Sequence, residues 1–534
     1  MKKELYLLFT ILLFALAIRL YPTIATGMPF STDAWPLIRN TELLIQNTPV
    51  PLNSGIFDIY NNFWPGNQLF GATLSQIINL PPITAMALGI PIAAALTIPI
   101  FYFLVKKLTE NKKIALTATA LIAAAFPYTF FTAGVTKETF ASPIYMTLIL
   151  LFLLKHDKKT TLLFSIASIA LALTHHLTAF FATATILALS IAYYSSKATT
   201  NDQEINSNKS NILFAAIQAA VTLIYLGFFA SPGFNSNLPS STLLTVAAYQ
   251  ILFIALTLQL VYFTKKLSKT RALFQFILGS LLSIGIMIII IDFCTLPGAH
   301  MLYAAPLIIG LPLAIFGLNE VHKRNTSLTI PLFWLISILA FTGFAVFSNP
   351  PDASGFAWRS INFILPPLMI LIAIGLNKLY TSPKHLKTQR FAKSIAVLII
   401  LAIISTNTYG MYATVSIQDP SLGYAWLYYP SDYKASNWIA TNANNQTTGG
   451  DARVEYLLQQ YYNKTVDLAG GLRYLEGNGS PPEILYIYNQ MSESGKGYIL
   501  VQGYSISLPA NWTDQLSNYN CIYTNNEVTI YARK

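Results

Sequence analysis

Charge is what this sequence has least of. Asp, Glu, Lys and Arg together make up 10% of 534 residues, against roughly 25% in soluble proteins. A chain this long cannot keep itself in water with so few charges, so an array of soluble domains is excluded. Cysteine is almost missing as well: Cys294 and Cys521 are the only two, too few for a disulfide framework or a cysteine metal site. Acidic residues are fewer than basic ones, 22 against 33. The excess of +11 is not a nucleic-acid patch, because it lies in short segments between apolar runs. A nucleic-acid partner is not expected.

What is abundant is apolar length. Hydrophobic residues are 54% of the chain and the mean hydropathy is +0.50. A helix needs about 20 apolar residues to cross a hydrocarbon core of roughly 30 Å. Runs of that kind predict spans at 5–25, 84–105, 114–132, 139–154, 160–174, 178–194, 212–230, 242–264, 272–292, 302–318, 328–347, 360–380 and 394–413. Thirteen spans make a polytopic α-helical membrane protein.

The basic residues test that count, since short cytoplasmic loops retain Lys and Arg. With the N-terminus inside, the outer loops hold only Arg39, Lys137 and Arg359. The rest of those in residues 1–413 fall on inner segments, apart from Arg19 within the first span. Residues 160–194 would be too long as one helix, so they are split into two short spans with Thr174, His175 and His176 at an outer tip below the membrane surface. The apolar N-terminal run lacks a convincing small-x-small cleavage site and is read as a retained helix.

Two regions are not spans. Residues 26–83 form a large first outer loop within a transmembrane domain 1–413. Residues 414–534 are rich in Asn, Tyr, Ser and Gly, lack a spanning run and carry 10 acidic against 7 basic residues. They predict a small soluble α/β domain on the outer side. Its expected helices are Ser431–Asn442 and Asp451–Tyr462, and its expected strands lie at Gly497–Ser507 and across Cys521–Tyr531, with a turn at Asn525-Asn526.

Ionisable groups beside a bilayer are costly, so their positions carry information. The outer-side set includes Asp33, Asp58, Lys137, Glu138, His175, His176, Asp292, His300 and Arg359. Asp33, a few residues past the first span, is read either as a carboxylate acting as base or metal ligand, or as the cap of a helix over 34–46. Lys137-Glu138 is read as a phosphate-binding pair or as a solvated turn with a local ion pair. His175 and His176 can meet a phosphate, ligate a metal or be structural. Arg359 suits forked pairing with a phosphate, or anchors at the interface. Trp64 and its aromatic neighbours are read as an anchor or as belt residues, ahead of an interfacial helix over 67–80. No chain of acids crosses the bilayer midplane, as an ion-coupled transporter would require.

The order of these features resembles the GT-C class of membrane glycosyltransferases, in particular the catalytic subunit of oligosaccharyltransferases. The shared features are thirteen spans, Asp33 in a large first outer loop, the Lys137-Glu138 turn, Arg359 before the twelfth span and a C-terminal α/β domain. The resemblance implies sugar transfer from a polyprenyl-phosphate-linked donor at the outer face of the cell membrane. Asp33 would be catalytic, with Arg359, Lys137, His175 and His176 on the donor phosphate. Glu138, Asp58, Asp292 and His300 would contact acceptor or metal, and the cofactor would be a divalent cation (Mg or Mn). Membrane lipids and an acceptor that is protein, lipid or glycan are the implied partners. The sequence departs from the oligosaccharyltransferase pattern in three places. Gly449-Gly450-Asp451-Ala452-Arg453-Val454-Glu455-Tyr456 stands where a Trp-Trp-Asp-Tyr-Gly motif would be. Thr136 replaces one of a pair of acids, and Asp292-Phe293-Cys294-Thr295 replaces a Thr-Ile-x-Glu motif. Transfer of a monosaccharide is therefore expected ahead of protein glycosylation, with a non-enzymatic transporter or lipid-binding scaffold as the remaining reading.

Overall fold

The structure is a computed structural model. It describes residues 2–47, 57, 60–155, 157–197, 208–233, 240–267, 281, 306, 309–318, 329–348, 353–381, 386–443, 445–493, 496–500, 503 and 505–534. Nearly all of the expected span 272–292, together with Asp58, Asp292 and His300, lies outside the described residues.

Among the described residues seven helices are long and apolar enough to cross a membrane, or eight if one bent pair is a single span. The first helix, Lys2–Thr26, precedes the short helices Ala34–Gln46 and Gly66–Ile78. The bent pair is Lys112–Ala124 and Phe126–Ala133, turned by 61°. Pro127 explains the bend, because it lacks the N–H that would reach the Ala123 carbonyl; the break itself falls at Ala125 (ψ 111°). The backbone groups freed there find partners: Arg19 donates to the Ala123 carbonyl (3.4 Å) and the Phe126 N–H donates to Asn407 (2.7 Å).

The expected split within 160–194 is present. Lys158–Thr174 and His176–Lys197 are separate helices, broken at His175, whose backbone is extended. Lys137–Leu153 and Lys158–Thr174 have 17 residues each, shorter than a typical span.

Ile330–Ser348 and Ala353–Thr381 pack against each other and bury Trp334, Ile338, Leu368 and Leu371 in the same apolar core as Phe101, Leu121 and Ile149. Leu386–Tyr412 then leads into the C-terminal region.

That region holds one mixed sheet of five strands in the order β2-β1-β3-β7-β6, with β1 Thr448–Gly449, β2 Val466–Asp467, β3 Ile484–Tyr488, β6 Tyr519–Thr524 and β7 Val528–Arg533. Strand β1 runs parallel to β2 and β3, whereas β3, β7 and β6 are antiparallel neighbours. The helix Pro430–Asn442 buries Ala435 and Ile439 against the sheet. The Asn525-Asn526 turn is present, with Asn526 in the left-handed region (φ 71°). Gly497–Ser507 is not one strand. It contains β4 Tyr498–Ile499 and β5 Ser505–Ile506, which pair antiparallel, and Gly503 (φ 82°) supplies a conformation an extended strand excludes. Strand β3 and the helix Leu468–Leu475 were not legible in sequence.

Candidate active site

Six separated stretches of the chain meet in one cavity of about 660 Å³, within the usual range for small-molecule sites. Its lining includes Asp33, Tyr60, Thr136, Lys137, Glu138, His175, Arg359, Tyr456 and Gln460.

Asp33 is placed by its own strand of backbone. The Ser31 N–H donates to the Trp426 carbonyl (3.1 Å) and the Val135 N–H donates to the Phe30 carbonyl (2.9 Å), so 30–31 is pinned between two other segments. Ser31 sits at φ 100°, a left-handed backbone that side chains other than Gly seldom adopt. The cap reading of Asp33 fails. Its backbone is helical at φ −63°, ψ −14°, and its side chain makes no capping hydrogen bond to the helix Ala34–Gln46. The carboxylate instead faces Arg359, with Oδ2 3.8 Å from Nη2.

Lys137 and Glu138 do not form a solvated turn. Thr136 is the N-cap of Lys137–Leu153, its hydroxyl accepting from the Thr139 N–H (3.0 Å), so both residues are in the first helical turn. They are buried, at 7% and 4% exposure. An acid there is favoured by the helix dipole. Glu138 accepts a hydrogen bond from Asn362 Nδ2 (2.6 Å) and lies 3.8 Å from Arg359 Nη1. Arg359 thus stands between two carboxylates. Asn362 is one helical turn after Arg359 on Ala353–Thr381, a spacing that places both on one face.

Lys137 points its ammonium at an aromatic wall, 3.9 Å from the Tyr60 ring centre and 5.4 Å from that of Trp64. Trp64 is fully buried, which excludes a role in the membrane belt. It packs on the His176 ring at 4.7 Å, and His175 shares a 2.7 Å hydrogen bond through Nδ1 with the Thr178 hydroxyl. Gly66 lets this wall close. A Cβ there would press on Thr174, beside the histidines. The helix expected over 67–80 spans Gly66–Ile78 and docks on Pro82–Ala95 and on the helix ending at Thr174.

The fourth side comes from the C-terminal domain. Asp451 caps Ala452–Glu455, and Arg453 is buried, donating to the Leu427 carbonyl (2.6 Å) and Asp432 (2.9 Å). Burial pushes the Asp432 and Asp451 carboxyls upward, while Arg453 draws both down. A π-helical turn, Tyr456–Tyr461, follows and supplies Tyr456 and Gln460 to the cavity. Trp35, fully buried, packs on Tyr428, Tyr433 and Tyr461, and the Tyr461 hydroxyl donates to Glu42 (2.9 Å). Asn362, Tyr456 and Gln460 were missed in sequence because none carries a charge at neutral pH. Only the three-residue step from Arg359 to Asn362 could have pointed to one of them.

Among the described residues no three His, Cys, Asp or Glu side chains form a metal-binding group. Asp33 and Glu138, the carboxylates in the cavity, share Arg359 as their counter-charge.

This arrangement of helices, first loop and C-terminal sheet is the GT-C fold of membrane glycosyltransferases. Over 99% of its length the chain superposes on the oligosaccharyltransferase of Archaeoglobus fulgidus, covering 74% of that protein. The apo form gives 13% identity and a TM-score of 0.59. A form tethered to an acceptor peptide containing an NVT sequon gives 14% and 0.58. A complex with an inhibitory peptide and a dolichol-phosphate gives 14% and 0.59. No family model and no curated protein matches the sequence.

Proposed function

We propose that the chain is a membrane glycosyltransferase that moves a sugar from a polyprenyl-phosphate-linked donor to an acceptor hydroxyl at the outer membrane face. One observation carries this reading: Arg359 bridges Asp33 and Glu138 within a cavity that also receives Lys137 and His175. The archaeal oligosaccharyltransferase that shares the fold has been captured with a dolichol-phosphate, which supports a lipid phosphate as donor.

In the proposed step the acceptor oxygen bonds to the anomeric carbon as the bond from that carbon to the phosphate oxygen breaks. The electron pair leaves on the lipid phosphate, and the acceptor proton passes to Asp33. Asp33 is the more exposed of the two carboxylates and the one placed to take it, since Glu138 is buried on Asn362. At 3.8 Å the contacts of Arg359 are charge pairs rather than tight hydrogen bonds, so the guanidinium can turn a forked face to the departing phosphate. Lys137 adds a second positive charge at the same wall. Fixed donors of this kind are worth about 10²–10³ in rate each.

Labelled polyprenyl-phosphate sugars supplied to purified protein test the proposal. Asp33→Asn should lower transfer by about 10²–10⁴ and Arg359→Ala by about 10²–10³, with expression unchanged. Wild-type rates in either variant would remove that residue from the mechanism.

A further inference from the structure

Four Asn-x-Ser/Thr triplets with a non-proline centre fall within residues 414–534. They are Asn445-Gln446-Thr447, Asn463-Lys464-Thr465, Asn478-Gly479-Ser480 and Asn511-Trp512-Thr513. The sheet collects them at one end. Asn445 precedes β1, Asn463 precedes β2, Asn478 precedes β3 and Asn511 precedes β6. Strands β1, β2 and β3 are parallel, and β3 and β6 both run antiparallel to β7, so these four strands start from the same end. Hydrogen bonds tie the loops there together: the Tyr474 hydroxyl donates to the Gln515 carbonyl (2.6 Å), and the Thr447 N–H donates to Glu483 (2.8 Å). The cavity lies at the opposite end, where β1 runs into Asp451 and the turn bearing Tyr456 and Gln460. All four asparagines are exposed, and Asn445 and Asn463 stand in left-handed turns at φ 61° and 58°.

We infer that this end of the C-terminal domain is a modification surface carrying asparagine-linked sugar chains, with Asn478 as its principal site. The inference rests on the outer-face placement in the reading above and not on the reaction proposed there. Glu476 to Ser480 are exposed without interruption and lie between the helix Leu468–Leu475 and β3, in neither element. The other triplets are more constrained. The Thr447 and Thr465 carbonyls accept from the Ile484 N–H (3.2 Å) and the Thr448 N–H (3.0 Å), and Trp512 and Thr513 lie in a 3-10 helix. In the modification, the Asn478 amide nitrogen bonds to the anomeric carbon of a lipid-phosphate-linked oligosaccharide. That carbon's bond to the phosphate oxygen breaks, its electron pair leaves on the lipid phosphate, and one amide proton passes to a base of the transferring enzyme. The chain's own cavity is at the far end of the sheet from Asn478, so the transferring enzyme is a separate molecule, an oligosaccharyltransferase acting on the same membrane face. A bulky, solubilising sugar chain at this end leaves the cavity unobstructed.

The test uses the full chain purified from the membranes of its native cells, with its peptides read by mass spectrometry. Sugar mass should be found on the peptide containing Asn478. Asn478→Gln and Ser480→Ala should each abolish it and Ser480→Thr should keep it, because the acceptor triplet needs a hydroxyl. All three variants should transfer labelled sugar as the wild type does. Asn208-Lys209-Ser210 and Asn325-Thr326-Ser327, triplets on segments that their basic residues assign to the inner side, should be bare. Asp33→Asn should keep the sugar on Asn478. A bare Asn478 in wild-type protein that still transfers sugar would overturn the modification surface and leave the transferase standing. Sugar that survives Ser480→Ala would overturn the asparagine-linked chemistry. Sugar on Asn208 or Asn325 would reverse the topology and bring down the outer-face reading with this inference. Loss of the sugar in Asp33→Asn would make the chain its own modifier and overturn the separate enzyme.

Discussion

Arg359 illustrates how much one side chain can do when two helices deliver acids to it. Its guanidinium is 39% exposed while Glu138 is nearly sealed, so the pair spans a gradient from wet to dry. The planar fork reaches both carboxylates at once, and a lysine cannot reproduce that with a single ammonium. Glu42 makes a second residue-level case, outside the cavity. Burial raises its carboxyl above the usual range, and the hydrogen bond from Tyr461 opposes this only in part. The unfolded chain then ionises Glu42 at lower pH than the folded one. The stability tied to Glu42 is thus complete below the ordinary carboxylate range and is lost as pH rises through the raised value. Glu42→Gln keeps an oxygen for Tyr461 and removes the titration. Its melting temperature relative to wild type should climb with pH across that window and then level off. A difference independent of pH would show that Glu42 is not buried as described.

Elements place these residues through contacts that tolerate little change. The helix Gly66–Ile78 approaches the end of Lys158–Thr174 at Gly66, where an added Cβ would lie 3.1 Å from the Thr174 backbone. Gly66→Ala should cost about 1–3 kcal/mol in unfolding, the range for overpacking. It should also lower transfer, because Tyr60 and Trp64, which wall in Lys137, lie just before Gly66. Denaturation and activity measured on one preparation check both; loss of stability with full activity would separate the wall from the function. At the same scale, the aromatic residues of 60–64 were legible as important and misplaced in role. Interfacial and packed aromatics share a composition, and only burial tells them apart.

At the scale of the molecule, the C-terminal domain and the first loop are packed as one body around Trp35 and the tyrosines at 428, 433 and 461. Arg453 sits beneath that contact, paired with Asp432 and without solvent to replace it. Removing one member of a buried pair leaves the other charge uncompensated. Arg453→Ala should therefore destabilise the domain by about 3–5 kcal/mol, seen as an earlier transition in chemical denaturation. A shift below about 1 kcal/mol would mean that the pair is not buried in solution.

Much of this protein was legible along the chain. Its scarcity of charge and its apolar runs marked a helical membrane protein, because the hydrocarbon requirement acts on each segment by itself. The break at His175 could be read from length alone, and of the three basic residues held apart from the rest, Arg39, Lys137 and Arg359, the last two line the cavity. What the chain could not show is pairing across distance. The residue after a loop is capping or reactive according to what stands opposite, and Asp33, readable along the chain as either, makes no cap and faces an arginine more than three hundred positions away. Tyr456 and Gln460 gave no signal, since neutral side chains cost little to expose or to bury partly. Segment-level transfer energies are local and survive in sequence; the meeting of charges is a property of packing, and only the fold decided it.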